Sequence, residues 1–168
     1  MRFAGRAYRA HDPRWSFAPT SGKGAAITGG RFNAIGQEAL YLSLEAVTAL
    51  AEATQGFANR MLPLTLCEYD VECTDVADLT DADARNALGV NEVDLTCAWL
   101  SYQHKNKIAP SQQVAHALMA KSVAGALVPS FVPGVHAGAT NLVLWKWGNA
   151  LPHKIEVYDP QNRLPKLR

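Results

Sequence analysis

Hydrophobic and polar positions alternate or recur with clear periods over most of the chain, and the exception is a long stretch near the start. Ala39-Leu40-Tyr41-Leu42-Ser43 is a brief apolar run that predicts a buried strand. Beyond it, Leu44, Val47, Leu50, Ala51, Thr54 and Ala58 recur at spacings of three and four, which predicts a helix over 44–58 with those residues inward. Ser43 stands where it can cap that helix, and Glu45 near its positive end. Leu62 to Val71 reads as a strand, Thr80-Asp81-Ala82-Asp83 as a capped helix start, and Gly89 as its stop. Two more helices are expected near 95–105 and 111–122, the second opened by Pro110-Ser111. Gly125 then admits a strand through Ala126-Leu127-Val128. Asn141 to Trp147 and Lys154 to Tyr158 alternate well enough to predict a C-terminal pair of strands, joined through Gly148-Asn149 and Pro152. Residues 2–9 suggest a short first strand of imperfect alternation. No repeat, low-complexity tract or linker interrupts the pattern, so one α+β domain over residues 1–168 is expected.

Residues 10–38 hold no period and are rich in Gly, Pro, Ser, Thr and Asn. So long a stretch inside a compact domain is more often functional than idle. It contains Ser21-Gly22-Lys23-Gly24-Ala25 and Gly29-Gly30-Arg31-Phe32-Asn33. Glycines let backbone N–H groups approach a ligand, and Arg31 adds a charged fork beside them, a combination that suits a pyrophosphate. The segment matches neither GxxxxGK[ST] nor GxGxxG, and Gly-Gly also serves ordinary turns, so both readings stand.

Composition narrows the class. The chain has 168 residues, 48% hydrophobic and 18% charged, enough for one sizeable core and unlike a disordered chain. No apolar run approaches the roughly 18 residues of a membrane span, and the N-terminus lacks the apolar core of a signal peptide. Cys67, Cys73 and Cys97 are odd in number and form no CxxC pair, so a reducing, cytoplasmic setting without a membrane partner is expected. The net charge of +1 hides an asymmetry: residues 1–31 carry +5, residues 68–94 carry −8, and the remainder from 95 onward carries +6. Five of the six basic groups in the first block are arginines, suited to forked recognition of phosphate or carboxylate. The acidic block reads as a solvated surface or a patch for a basic partner. A nucleic-acid binder usually shows a more basic total, with aromatics interleaved among Lys and Arg, than the net +1 here, so no nucleic-acid partner is expected.

Candidate chemistry is sparse. The five histidines show no metal-ligand spacing, so no metal is expected, and there is no GxSxG elbow. Glu52 falls away from the apolar face of its helix and alone would be a solvated carboxylate. Its neighbours Ala46, Ala49 and Ala53 are nevertheless small enough for a ligand or another segment to pack close. Tyr41 in an apolar strand is ordinarily core, and Ser130 after Val128-Pro129 ordinarily a turn residue.

In order, Ala7-Tyr8-Arg9, the two glycine segments, Ala39-Leu40-Tyr41-Leu42-Ser43, Ala49-Leu50-Ala51-Glu52, Val128-Pro129-Ser130 and Asn141-Leu142-Val143-Leu144 resemble the RES-domain family. These are toxins of bacterial toxin–antitoxin pairs, and the family's Arg, Glu and Ser fall on Arg31, Glu52 and Ser130. Phe32 stands where the family commonly has Trp. The resemblance implies an ADP-ribosyltransferase-like fold, a mixed and largely antiparallel split sheet flanked by helices with a dinucleotide cleft between. It implies NAD as co-substrate and cleavage of the nicotinamide–ribose bond. ADP-ribose would pass to a protein target or, alternatively, to water or phosphate; a non-catalytic nucleotide-binding module is the competing class. Glu52 would stabilise the developing ribose cation, with Arg31 and Ser130 beside it as catalytic residues. Arg9, Arg31, Tyr41, Ser130 and Asn141 would bind the dinucleotide. A cognate antitoxin is the implied partner, docking on the basic block of 1–31 or the acidic block of 68–94.

Overall fold

The computed structural model describes residues 1–54 and 62–166. Seven strands form one sheet: β1 (Phe3–His11), β2 (Leu40–Ser43), β3 (Thr65–Cys73), β4 (Val76–Asp78), β5 (Gly125–Pro129), β6 (Thr140–Leu144) and β7 (His153–Val157). Their spatial order is β4-β5-β6-β2-β1-β3-β7, with β4 and β5 parallel and every other neighbouring pair antiparallel. The expected mixed, largely antiparallel architecture is therefore present. The sheet also nearly divides. Strand β1 pairs with β3 along all nine residues, yet meets β2 only at Tyr8 opposite Ser43.

Alternation along the central strands assigns the two faces. Leu40, Leu42, Leu127, Leu142 and Leu144 join one buried cluster with Ala7, Tyr69 and Val71 from β1 and β3. Ala126, Val128 and Val143, with Tyr41 partly buried, face the other way, into a cluster with Phe32, Leu95, Ala115 and Leu118. Period-two geometry thus also sends Ser43, Asn141 and the residue after β5, Ser130, to the second face.

Among the described residues six α-helices flank the sheet, α1 (Lys23–Thr28), α2 (Ala46–Ala53), α3 (Ala82–Leu88), α4 (Glu92–Leu95), α5 (Trp99–His104) and α6 (Pro110–Ala120), besides a 3-10 turn at Pro13–Trp15. Helix α3 starts where the sequence predicts, with the Asp81 carboxylate accepting from the Ala84 N–H at 2.8 Å. It ends on Gly89 in the left-handed region, φ 71°.

Four expectations need correction. The aperiodic region contains a helix, α1, whose Lys-Gly-Ala-Ala composition carries too few apolar residues to show a period. Ser43 does not cap α2; Glu45 occupies the cap position, and the Ser43 hydroxyl turns to Asn141 instead. The inner face of α2 is also rotated: Val47 is 73% exposed, whereas Thr48 and Ala49 are buried. The alanines on that side allow the helix to sit close over β1 and β2; positions 55–58 of the predicted helix, Ala58 included, lie outside the described residues. Finally, the two C-terminal strands do not pair, since β6 lies between β5 and β2 while β7 forms the edge beside β3.

The charged blocks are not separate surfaces either. Because β1 lies against β3, Arg2 meets Glu72 at 2.6 Å and Arg6 meets Glu68 at 3.4 Å. Arg14 pairs with Asp12 at 2.7 Å. These are surface pairs worth little each, but they leave Arg9 and Arg31 as the arginines of the first block without a carboxylate partner among the described residues.

The orientation of α2 is testable by chemical denaturation. Val47→Ser is expected to cost less than about 0.5 kcal/mol. Ala49→Leu, which overfills the contact with the sheet, is expected to cost about 1–3 kcal/mol.

Candidate active site

A cavity of about 370 Å³ opens where β1 and β2 part. Tyr8, Arg9 and Ala10 of β1 line one side, Tyr41, Leu42 and Ser43 of β2 another, with Ala49, Glu52 and Ala53 of α2. Gly24 to Phe32 contribute a further wall, and Asn141, Phe131 and Trp99 complete it. This lies within the range of small-molecule sites. Arg9, Arg31, Tyr41, Glu52 and Asn141, all singled out in the sequence, therefore share one cavity. Ser130 joins them through its hydroxyl.

Glu52 is held, not solvated. The Ser130 hydroxyl donates to its Oε1 at 2.7 Å, and the Asn141 side-chain amide donates to the same oxygen at 2.6 Å. Oε2 has no hydrogen-bond partner among the described residues. Three elements meet in this clamp: α2 brings the carboxylate, the end of β5 the serine, and β6 the asparagine.

Both arginines are fixed by backbone carbonyls. Arg31 donates from Nη1 to Leu95 O and Cys97 O, each at 2.8 Å, and its guanidinium lies 4.4 Å from the centre of the Phe131 ring. Arg9 donates from Nη1 to Pro19 O and Ser21 O, each at 3.0 Å. Each guanidinium carries five N–H donors; Arg31 keeps those on Nε and Nη2 without partners among the described residues, while Arg9 also interacts with the Tyr69 hydroxyl. Burial lowers the pKa of both below the usual arginine value, although neither loses its charge near neutrality. Two partly desolvated cations thus line one cavity without a salt bridge among the described residues.

The wall that carries Arg31 depends on side chains for its hydrogen bonds. Gly30 and Asn33 bond to each other across a tight turn with Arg31 and Phe32 at its tip. A Cβ on Gly30 would come within 2.6 Å of both the Tyr41 hydroxyl and Asn33 Oδ1, so the turn demands glycine there. The Tyr41 hydroxyl donates to Asn33 Oδ1 at 2.8 Å and accepts from the Phe32 N–H at 3.0 Å. Tyr41 thus borders the cavity but spends its polar end on the loop, and burial pushes its pKa well up. Fully buried Asn33 donates to Ala25 O, Ala34 O and Gln37 O. Buried Gln112 of α6 donates to Gly30 O and Asn33 O, Ser111 to Arg31 O, and Trp145 to Phe32 O. Sequence reasoning gave Ser43 and Ser111 only helix-start roles and Gln112 and Phe131 none; for the polar three, the available signal was their inward positions on α6 and β2.

The sheet thus parts above a clamped carboxylate, with two arginines lining the same cavity, and comparison with known proteins gives the class. The model of the RES domain family matches residues 6–166, and the chain belongs to that family. The fold is similar to one in the crystal structure of the M. tuberculosis MbcT–MbcA toxin–antitoxin complex, at a TM-score of 0.68 and 25% identity. That alignment covers 95% of this chain and 84% of the other. Comparison with curated proteins finds no significant match.

Asn33→Ala would remove one donor from each of three loop carbonyls; Ala25 O and Ala34 O keep the N–H groups of Gly29 and Gln37, and Gln37 O is left with none among the described residues. The expected loss is about 2–4 kcal/mol in denaturant unfolding, partial rehydration included. Limited proteolysis should show earlier cleavage between residues 20 and 38.

Proposed function

We propose that this protein is the toxin of a bacterial toxin–antitoxin pair that cleaves the nicotinamide–ribose bond of NAD and transfers ADP-ribose to a protein. One observation carries the reading: a carboxylate clamped by two neutral donors shares a cavity with two partly buried arginines that make no salt bridge among the described residues. Membership of the RES family and likeness to a toxin–antitoxin structure support it.

On this reading Arg9 and Arg31 grip the pyrophosphate with their remaining N–H groups through charge-assisted bonds, which also positions the ribose. The C1′–N bond then breaks, its electron pair leaves with the nicotinamide ring, and positive charge develops on the ribose. Glu52 opposes that charge, its Oε2 free to accept from a ribose hydroxyl. Ser130 and Asn141 hold the carboxylate still. The acceptor attacks C1′ and releases its proton. Tyr41 keeps the Arg31 loop in place while its ring borders the cavity. A cognate antitoxin protects the producing cell by filling the anion site, with a carboxylate or chain terminus taking the place of pyrophosphate.

Purified protein incubated with NAD should release nicotinamide, and Glu52→Gln should slow release at least a hundredfold, about 3 kcal/mol of barrier, with folding intact. Near-normal release by that variant would remove Glu52 from the chemistry. Mass spectrometry of candidate acceptors separates transfer to protein from hydrolysis or phosphorolysis, in which only free or phosphorylated ADP-ribose accumulates.

Arg31→Lys and Arg9→Ala are each expected to weaken NAD binding in calorimetry, because the planar fork is lost in one and the charge in the other. Arg31→Ala should weaken antitoxin binding as well. An antitoxin complex that still bound NAD would place the partner elsewhere.

A further inference from the structure

The geometry points to Ser43 as a positioning residue that sets the working orientation of Glu52 through the Asn141 amide; this rests on the proposed reading of Glu52. Ser43 is buried and occupies the single point at which β1 and β2 pair, Tyr8 opposite Ser43. On its other side it is in register with Asn141 of β6. Its hydroxyl donates to Asn141 Oδ1 at 2.7 Å, and Asn141 Nδ2 donates to Glu52 Oε1 at 2.6 Å.

The chemistry of the three groups permits one arrangement. An ionised carboxylate only accepts, so the amide must turn its NH2 toward Glu52. Its carbonyl oxygen then points at Ser43, and a hydroxyl is the group able to donate to it there. The carboxylate alone selects the amide orientation, because a hydroxyl could also accept from a reversed NH2; what Ser43 adds is an anchor on the far end of the amide. Without that anchor the NH2 is no longer held in place on Oε1, and Ser130 is left as the firm clamp on Glu52. Ser43 borders the cavity but commits its hydroxyl to Asn141, so its loss acts on kcat more than on KM.

The test uses the full chain and nicotinamide release. Ser43→Ala is expected to lower kcat about tenfold with KM, NAD affinity and melting temperature little changed. Asn141→Ala is expected to lower it further. Because Ser43 acts through Asn141, the Ser43→Ala/Asn141→Ala double variant should be no slower than Asn141→Ala alone. Additive losses would overturn the relay, as would an unchanged kcat in Ser43→Ala. A second readout is independent of turnover: the Asn141 side-chain NH2 signals in 15N NMR should move in Ser43→Ala, and unmoved signals would equally overturn the proposal. If wild-type protein releases no nicotinamide, the NAD reading fails, while the NMR comparison still decides whether Ser43 anchors the amide.

Discussion

The incomplete pairing of β1 with β2 is the constraint on which the rest depends. A sheet paired continuously at its centre would close its backbone groups on each other and leave no concavity there. Here the two halves, β4-β5-β6-β2 and β1-β3-β7, are tied at Tyr8 and Ser43 and otherwise separate. The cavity occupies the separation, and the strands on each side supply rigid walls with inward side chains at fixed alternation. Helix α2 packs over the gap through alanines and Thr48, which brings the Glu52 carboxylate to the end of β5 and the start of β6. A bulkier helix face would hold that carboxylate out of reach.

A second requirement follows from the first. The segment that supplies Arg31 crosses the open side of the site, where few strand or helix partners exist for its carbonyls. Buried carbonyls without donors cost about 1–3 kcal/mol each, and here side chains meet the need at Pro19 (Arg9 and Tyr69), Thr20 (Trp147) and Gln37 (Asn33), and add second donors at Ala25 and Gly30. The same bonds that stabilise the loop fix the position of Arg31. Stability and pre-organisation are one network in this region, which is why loss of Asn33 should affect both.

The strands were legible in the sequence because alternation reports directly on a sheet with both faces covered. Leu40, Leu42, Leu142 and Leu144 oppose Tyr41 and Val143 as the pattern demands. The face of α2 was misread because apolarity favours Val47 and Leu50, while the actual contact selects small residues and a carboxylate. Helix α1 escaped because six residues of Lys, Gly, Ala, Ile and Thr give no period. The order of strands is a property of long-range pairing, and nothing local in Asn141–Trp147 or Lys154–Tyr158 distinguishes neighbours from strangers. Arg31, Glu52 and Ser130 could be picked out through family resemblance, but the clamp of Asn141 and Ser43 required the fold.

The distribution of charge in the site carries its own logic. Glu52 and Arg31 border the same cavity, and direct pairing would satisfy both at once. Each is instead secured by neutral groups: the carboxylate by a hydroxyl and an amide, the guanidinium by two carbonyls and the ring of Phe131. Neutral partners fix position without cancelling charge, so the field of each group remains directed into the cavity, where the low dielectric strengthens it. A ligand with an anionic centre and a nearby group that becomes cationic would find each end matched. On the proposed reading that ligand is a dinucleotide whose glycosidic bond is opening, and keeping the two opposite charges of the site apart is what would serve it.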